Sequence, residues 1–214
     1  MATRESCSLS EENAANQLKN KIMNKSSILF LKQFLKTPLA IGSLCPSGHA
    51  LAHTLANLAA SENRGGFFID LGTGTGVVTR ELLSLGVKPE NILAIDSCET
   101  FKCAFRSYYP QVKFLIADAR NLRNIVSGFG NLAPIRAVIS SLPLKNMPDD
   151  SIATIMREIW KILHDSGGAL IQFTYAVWTR ASLSRYGFNL LSRRYVVNNL
   201  PPCIVEKYAP VNVN

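Results

Sequence analysis

The residues best placed to do chemistry are glycines and carboxylates. Asp70-Leu71-Gly72-Thr73-Gly74-Thr75-Gly76 follows a short apolar run, FFID over 67–70, and precedes VVTRELLSLG over 77–86, a helical pattern with Gly86 to end it. Glycines at a strand-to-helix turn let the backbone approach a ligand closely at the carboxyl edge of a sheet. A dinucleotide fingerprint, G-x-G-x-x-G, needs glycine at the sixth position from Gly72, but that position is Val77; the spacing is instead D-x-G-x-G-x-G. Two more acids close apolar runs, Asp96 after ILAI and Asp118 after FLIA. A carboxylate at 96, with Ser97 beside it, can accept hydrogen bonds from both hydroxyls of a ribose. Asp118 can accept one from an exocyclic adenine amine while the Ala119 N–H faces a ring nitrogen. Asp70 and Thr73 then lie near the cationic end of such a ligand. One such Asp alone would be read equally well as a helix cap; three in register around a glycine loop point to a nucleoside.

The elements that must position these residues follow from the hydrophobic pattern. Strands are expected at 67–70, 92–96, 112–118, 137–141 and 169–175, and helices at 77–86, 99–107 and from Asp149 or Asp150 through Leu163. Apolar strands alternating with helices imply a parallel sheet covered on both faces. After Arg194 the pattern becomes YVVNN, LPP and CIVEKY, two strands joined by a proline turn. Two helical segments precede the alternating unit: 13–36, and 47–60 with Ser47 as N-cap.

With DLGTGTG at 70–76, AID at 94–96, ADA at 117–119, AVISS before LPL, and the terminal strand pair, the sequence resembles the class I S-adenosylmethionine-dependent methyltransferases over residues 65–208. The resemblance implies an α/β, Rossmann-like seven-stranded sheet with a terminal antiparallel hairpin, with residues 1–61 as an N-terminal helical extension and 62–214 as the cofactor-binding catalytic domain. It implies S-adenosylmethionine as cofactor and S-adenosylhomocysteine as product. Gly72, Gly74 and Gly76 would lie under the methionine part, Asp96 would bind the ribose and Asp118 the adenine, with Ser140 closing the site.

The loop Ser140-Ser141-Leu142-Pro143-Leu144 lies where such enzymes present the acceptor. Enzymes that methylate a flipped base carry an aromatic after the proline; Leu144 offers no stacking face, which disfavours adenine or cytosine. FLKQFLKTPLAIGSLCPSGHALAHTLA (30–56), SSLPLKNMP (140–148), IQFTYA (171–176) and NNLPPCIVEKY (198–208) are similar to the soluble bacterial phospholipid N-methyltransferases, which methylate phosphatidylethanolamine stepwise toward phosphatidylcholine. That likeness implies a phospholipid substrate at an anionic membrane surface, with no obligate protein partner. The rRNA adenine dimethyltransferases share the layout, so an RNA or small-molecule N-methyltransferase is the alternative, and a non-catalytic binding module that keeps the fold is a second.

Charge and amphipathicity agree with an anionic partner. The net charge is +8, yet residues 62–165 hold 12 basic and 11 acidic side chains; the excess sits in five lysines between Asn13 and Ser61 and four arginines between Ser166 and Val205, stretches without an acid. On a helical wheel Lys21, Lys25, Lys32 and Lys36 share a sector of roughly 60°, opposite Met23, Phe30, Leu31, Phe34 and Leu35. A break at Asn24–Ser27 would divide this into two shorter segments. Such a surface either lies in the headgroup layer or packs its apolar face on the domain.

An amine acceptor must lose a proton before its lone pair attacks, given a reference pKa of about 10.4 for a primary alkylammonium. Candidate groups near the methyl are Ser140, Ser141, Asn146 and Tyr175. Tyr175 or Trp178 could hold a quaternising ammonium by cation–π attraction. His49 and His53 stand four apart without a third metal ligand, so no metal is expected and His53 is a headgroup candidate. Arg180, Arg185, Arg193 and Arg194 suit the phosphate of a lipid or of RNA. Five cysteines without a CxxC pair imply reduced thiols, Cys203 being a packing residue. With 47% apolar and 18% charged residues, no spanning apolar run and no secretory pattern at the start, a cytoplasmic protein peripherally associated with the membrane is expected.

Overall fold

The computed structural model describes residues 46–61, 65–129, 134–144, 147–175, 183–199 and 202–211. Lys21, Lys25, Lys32, Lys36, Asn146, Trp178 and Arg180 lie outside the described residues. Residues 46–214 form one compact unit.

The runs FFIDL (β1, Phe67–Leu71) and ILAID (β2, Ile92–Asp96) are buried at every position, as expected of central strands covered on both faces. They pair in parallel, with Asp70 opposite Ala94, and β3 (Lys113–Ile116) pairs in parallel on the far side of β2. On the other side of β1 come β4 (Ile135–Ser140) and β5 (Ala169–Thr174), also parallel. The chain then returns as β6 (Phe188–Val196) and β7 (Cys203–Pro210). β7 inserts antiparallel between β5 and β6, giving the order β3-β2-β1-β4-β5-β7-β6. The seven-stranded sheet with an antiparallel terminal hairpin is the expected one.

The helices are α1 (Pro46–Ala60), α2 (Val77–Ser84), α3 (Thr100–Tyr108), α4 (Leu122–Ser127) and α5 (Asp149–Ser166). α5 buries Ile152, Ile155, Met156, Ile159, Ile162 and Leu163 at helical spacing, and packs with Leu170, Phe188 and Tyr208 into the core on that face. It runs past the expected Leu163 and stops at Gly167 in the left-handed region, φ 65°. Helix α1, read from sequence as the end of the extension, starts at Pro46 and is packed within the same unit as the sheet: Leu51, Ala52, Leu55 and Ala56 are buried, and the helix contacts α2 and β4. Truncating Leu55, 1% exposed, would cost about 2–5 kcal/mol.

Two strands differ from the sequence reading. β3 stops at Ile116, leaving Asp118 as the N-cap of a 3₁₀ turn, Ala119–Asn121. β6 begins at Phe188, seven residues before the expected Tyr195, because an irregularity between Leu190 and Ser192 interrupts the alternation on which the sequence pattern depends.

Candidate cofactor and acceptor site

Parallel strands bring their carboxyl ends to one edge, so Asp70, Asp96, Ser140 and Tyr175 converge there although they are far apart in sequence. The glycine loop is pinned below by the Gly72 and Thr73 N–H groups, which donate to the Ile95 carbonyl at 2.8 and 3.1 Å. Gly72 has φ 75°, and a Cβ there would stand 3.1 Å from Leu142 Cδ2, so the glycine loop and the loop after β4 touch. Gly76 has φ 86°, and a Cβ would press into the Tyr109 and Phe105 rings at 2.5 and 2.8 Å. Both positions require glycine.

Asp70 is fully buried. Its Oδ2 accepts from the Thr73 and Thr79 hydroxyls at 2.7 and 2.6 Å, while Oδ1 has no partner. Burial pushes this carboxyl up to about 6, against the two hydroxyls that lower it. Asp96 spans the site: Oδ2 accepts from Gly74 N at 2.9 Å and Oδ1 from Cys98 N at 2.8 Å. Burial raises it also, against these N–H bonds. Each carboxylate oxygen retains a lone pair for a ribose hydroxyl. Ser97 beside it is exposed, and Ala119 is buried in the turn that Asp118 caps.

Asp118 is the carboxylate read from sequence as the acceptor for an adenine amine. It is 40% exposed but held by Arg120, whose Nε lies 3.1 and 3.0 Å from its two oxygens. This bonding lowers its pKa.

Ser140 is fully buried, paired with Leu71 on one side and Gln172 on the other. The Ser141 N–H donates to the Leu71 carbonyl at 2.9 Å, and the Gln172 amide to the Leu142 carbonyl at 3.3 Å, so the post-β4 loop is tied to both neighbouring strands. Gln172 Oε1 is buried without a partner. Tyr175 follows β5 directly, with its ring edge-on to Phe173 at 5.3 Å and its hydroxyl bonded to Asn199 in the β6–β7 turn. Burial pushes this phenol up to about 12, so Tyr175 stays protonated at neutral pH.

His53 and His49 converge on Glu81 of α2. His53 Nδ1 is 3.1 Å from Oε2, His49 Nε2 is 3.5 Å from Oε1, and Arg80 Nη2 donates to Oε1 at 2.8 Å. Burial pushes Glu81 up, but these cationic and hydrogen-bonding neighbours outweigh it and hold the carboxyl low. No cluster of three or more metal-binding side chains occurs among the described residues. Arg185 meets exposed Asp149 at 3.3 Å and the Tyr186 ring, and Arg193 pairs with Glu206. Cys203 is 2% exposed and packs as read from sequence.

Thr79, Glu81, Gln172 and Asn199 were not singled out in the sequence. Thr79 had one available signal, its position three residues into a helix that starts behind the loop. The others depend on contacts across 28 to 30 residues, or on the turn that brings Asn199 to Tyr175.

Nucleoside recognition has a suitable frame. An unpartnered Oδ1 on Asp70, two shared oxygens on Asp96, and open space around Gly74, where a Cβ would meet nothing within 4 Å, suit the amino, ribose and methionine parts of S-adenosylmethionine. When bound, that cofactor supplies a methyl group on a sulfonium. The fold, and a site suited to that cofactor, are those found in the class I S-adenosylmethionine-dependent methyltransferases.

Residues 68–167 match the family model described as a methyltransferase domain. The ornithine lipid N-methyltransferase of Singulisphaera acidiphila is 28% identical over 182 residues, 83% of this chain and 93% of that protein. Among solved structures, the 1,6-didemethyltoxoflavin-N1-methyltransferase of Burkholderia thailandensis, with S-adenosylhomocysteine bound, aligns at TM-score 0.63 over 91% of this chain and 90% of its own, at 12% identity. A TehB-like S-adenosylmethionine-dependent methyltransferase of Corynebacterium glutamicum aligns at 0.56, over 87% and 98%, at 14% identity. These two likenesses concern the fold.

Proposed function

We propose that the chain transfers methyl groups from S-adenosylmethionine to the primary amine of a membrane aminolipid, either phosphatidylethanolamine or an ornithine lipid. The likeness to a lipid N-methyltransferase carries the reading, because it covers 83% of this chain, more than Pro46–Asn214 alone makes up. Lys21, Lys25, Lys32 and Lys36, with Arg180 and Arg185, are the candidate contacts to headgroup phosphate or carboxylate.

Transfer to an amine is an in-line displacement, so the protein supplies position and a dry site. The loop Ser141–Leu144, held by Leu71 and Gln172, forms one wall, and its carbonyls can accept N–H bonds from the incoming amine. Tyr175 forms the other wall, its neutral ring suited to an ammonium that becomes more substituted at each step. Purified protein is incubated with labelled S-adenosylmethionine and vesicles of phosphatidylethanolamine or ornithine lipid mixed with an anionic lipid, and the lipids are resolved by chromatography. Label in mono-, di- or trimethylated lipid is expected. Cofactor binding with no labelled lipid would reject the reading, and label in added RNA would replace it.

A further inference from the structure

The exposed apolar side chains are unevenly placed. Of the eight large ones exposed among the described residues, four fall within Leu190–Val197: Leu190 40%, Leu191 53%, Tyr195 64% and Val197 72%. This is the edge of the sheet, where β6 has β7 on one side and, among the described residues, no strand on the other. The two most exposed lie at its carboxyl tip. Tyr195 pairs with Ile204 and Ile204 with Thr174, so Tyr195 stands two strands, about 10 Å, from the end of β5. The turn beyond folds back through Asn199 onto Tyr175. Tyr195 also bonds Arg193, which Glu206 anchors, and this fixes the ring beside a cation.

We infer that this tip, Tyr195 and Val197 with Arg194 directly before them, is the part of the catalytic unit that enters the headgroup layer of an anionic lipid surface. The inference rests on the aminolipid reading above. A half-exposed tyrosine beside an aliphatic residue suits the boundary between headgroup and hydrocarbon. The charge beside the tip has the matching sign, since Arg194, exposed next to Tyr195, forms no ion pair with a carboxylate among the described residues, whereas Arg193 is balanced by Glu206. The same charge opposes the other obvious occupant. Pairing of β6 with a second copy would bring the two Arg194 side chains into one seam with no carboxylate from either strand. Docked at this tip, the protein reaches a headgroup at the sheet edge while the acyl chains stay in the bilayer.

Leu191 supplies the comparison, for it is as apolar and exposed but four residues, about 13 Å, down the strand. Vesicle flotation and methylation are measured for the wild type, Tyr195→Ser/Val197→Ser and Leu191→Ser, with phosphatidylethanolamine and, separately, ornithine lipid offered both in vesicles containing phosphatidylglycerol and in detergent mixed micelles. The double variant is expected to lose about tenfold or more in vesicle partition and a similar factor in vesicle activity, while retaining cofactor affinity and micellar turnover; Leu191→Ser is expected to match the wild type. Wild-type partition in the double variant, or an equal loss in Leu191→Ser, would overturn the inference while leaving the aminolipid reading intact. A wild-type protein that labels lipid in neither form would remove the function and the inference together.

Discussion

Gly74 donates its N–H to Asp96 Oδ2 at 2.9 Å, so the carboxylate expected to hold a ribose also fixes the loop over which the rest of the cofactor lies. The two duties are coupled through one side chain, which also accepts from Cys98. Asp96→Asn turns an amide N–H toward a backbone N–H and loses a charged acceptor, each charge-assisted bond being worth about 1.5–3 kcal/mol. Affinity for S-adenosylhomocysteine should fall at least about tenfold by calorimetry. An unchanged affinity would show that neither duty matters.

Asp70 makes stability pH-dependent in the direction opposite to a paired carboxylate. Its folded pKa of about 6 lies above the ordinary 3.8, so the folded chain binds the extra proton between these values. The stabilisation is complete below 3.8 and is lost as pH rises through about 6, a difference of about 3 kcal/mol. Asp70→Asn should abolish this component, seen in urea unfolding as a wild-type-minus-variant stability difference that falls by about 3 kcal/mol as pH rises from 4 to 7. A wild-type curve parallel to that of the variant would contradict it.

Thr79→Val removes one of the two hydroxyls on Asp70 Oδ2 at constant volume. A buried acceptor losing a donor should cost about 1–3 kcal/mol of stability and push Asp70 higher still. The midpoint of urea unfolding at pH 7 reads the cost, and NMR titration of the Asp70 carboxyl reads the shift.

Glu81 joins α2 to α1 through His49 and His53, and its lowered pKa places its contribution on the ordinary side: present above the unfolded value and lost as pH falls through the folded one. Glu81→Gln should lower stability by about 1–3 kcal/mol, with faster hydrogen exchange concentrated in Pro46–Ala60. Exchange that rises uniformly instead would show that Glu81 does not dock α1.

Arg120 occupies Asp118, the carboxylate expected to receive the adenine amine. An exposed pair of this kind is worth about 0–1 kcal/mol, so Arg120→Ala should tighten S-adenosylhomocysteine binding by up to about fivefold, whereas Asp118→Asn weakens it. Weaker binding in Arg120→Ala would mean that the guanidinium itself contacts the ligand.

The sheet and the glycine loop were legible because both rest on local signals. Apolar runs such as FFIDL and ILAID show burial on two faces, and D-x-G-x-G-x-G shows a turn that needs left-handed backbone at Gly72, Gly74 and Gly76. The start of β6 was not legible, since the irregularity after Leu190 breaks the period-two pattern and leaves successive residues exposed. Nor could local spacing reveal that Arg120 would occupy Asp118, that Glu81 would gather two histidines, or that Gln172 would hold the Leu142 carbonyl. Each is decided by how elements pack, and pairing across the sheet is invisible to a window of a dozen residues.

The insertion of β7 between β5 and β6 also sets an order of events during synthesis. Among the described strands, β6 leaves the ribosome with none to join, because its neighbour β7 is made after it. Until residues 203–210 emerge, Leu190, Leu191, Tyr195 and Phe188 are displayed on an unpaired strand, and the β5 edge beside Tyr175 stands open. The catalytic edge is thus the last part of this unit to be completed, and a nascent chain stalled within residues 188–202 presents an adhesive strand before it has a working site.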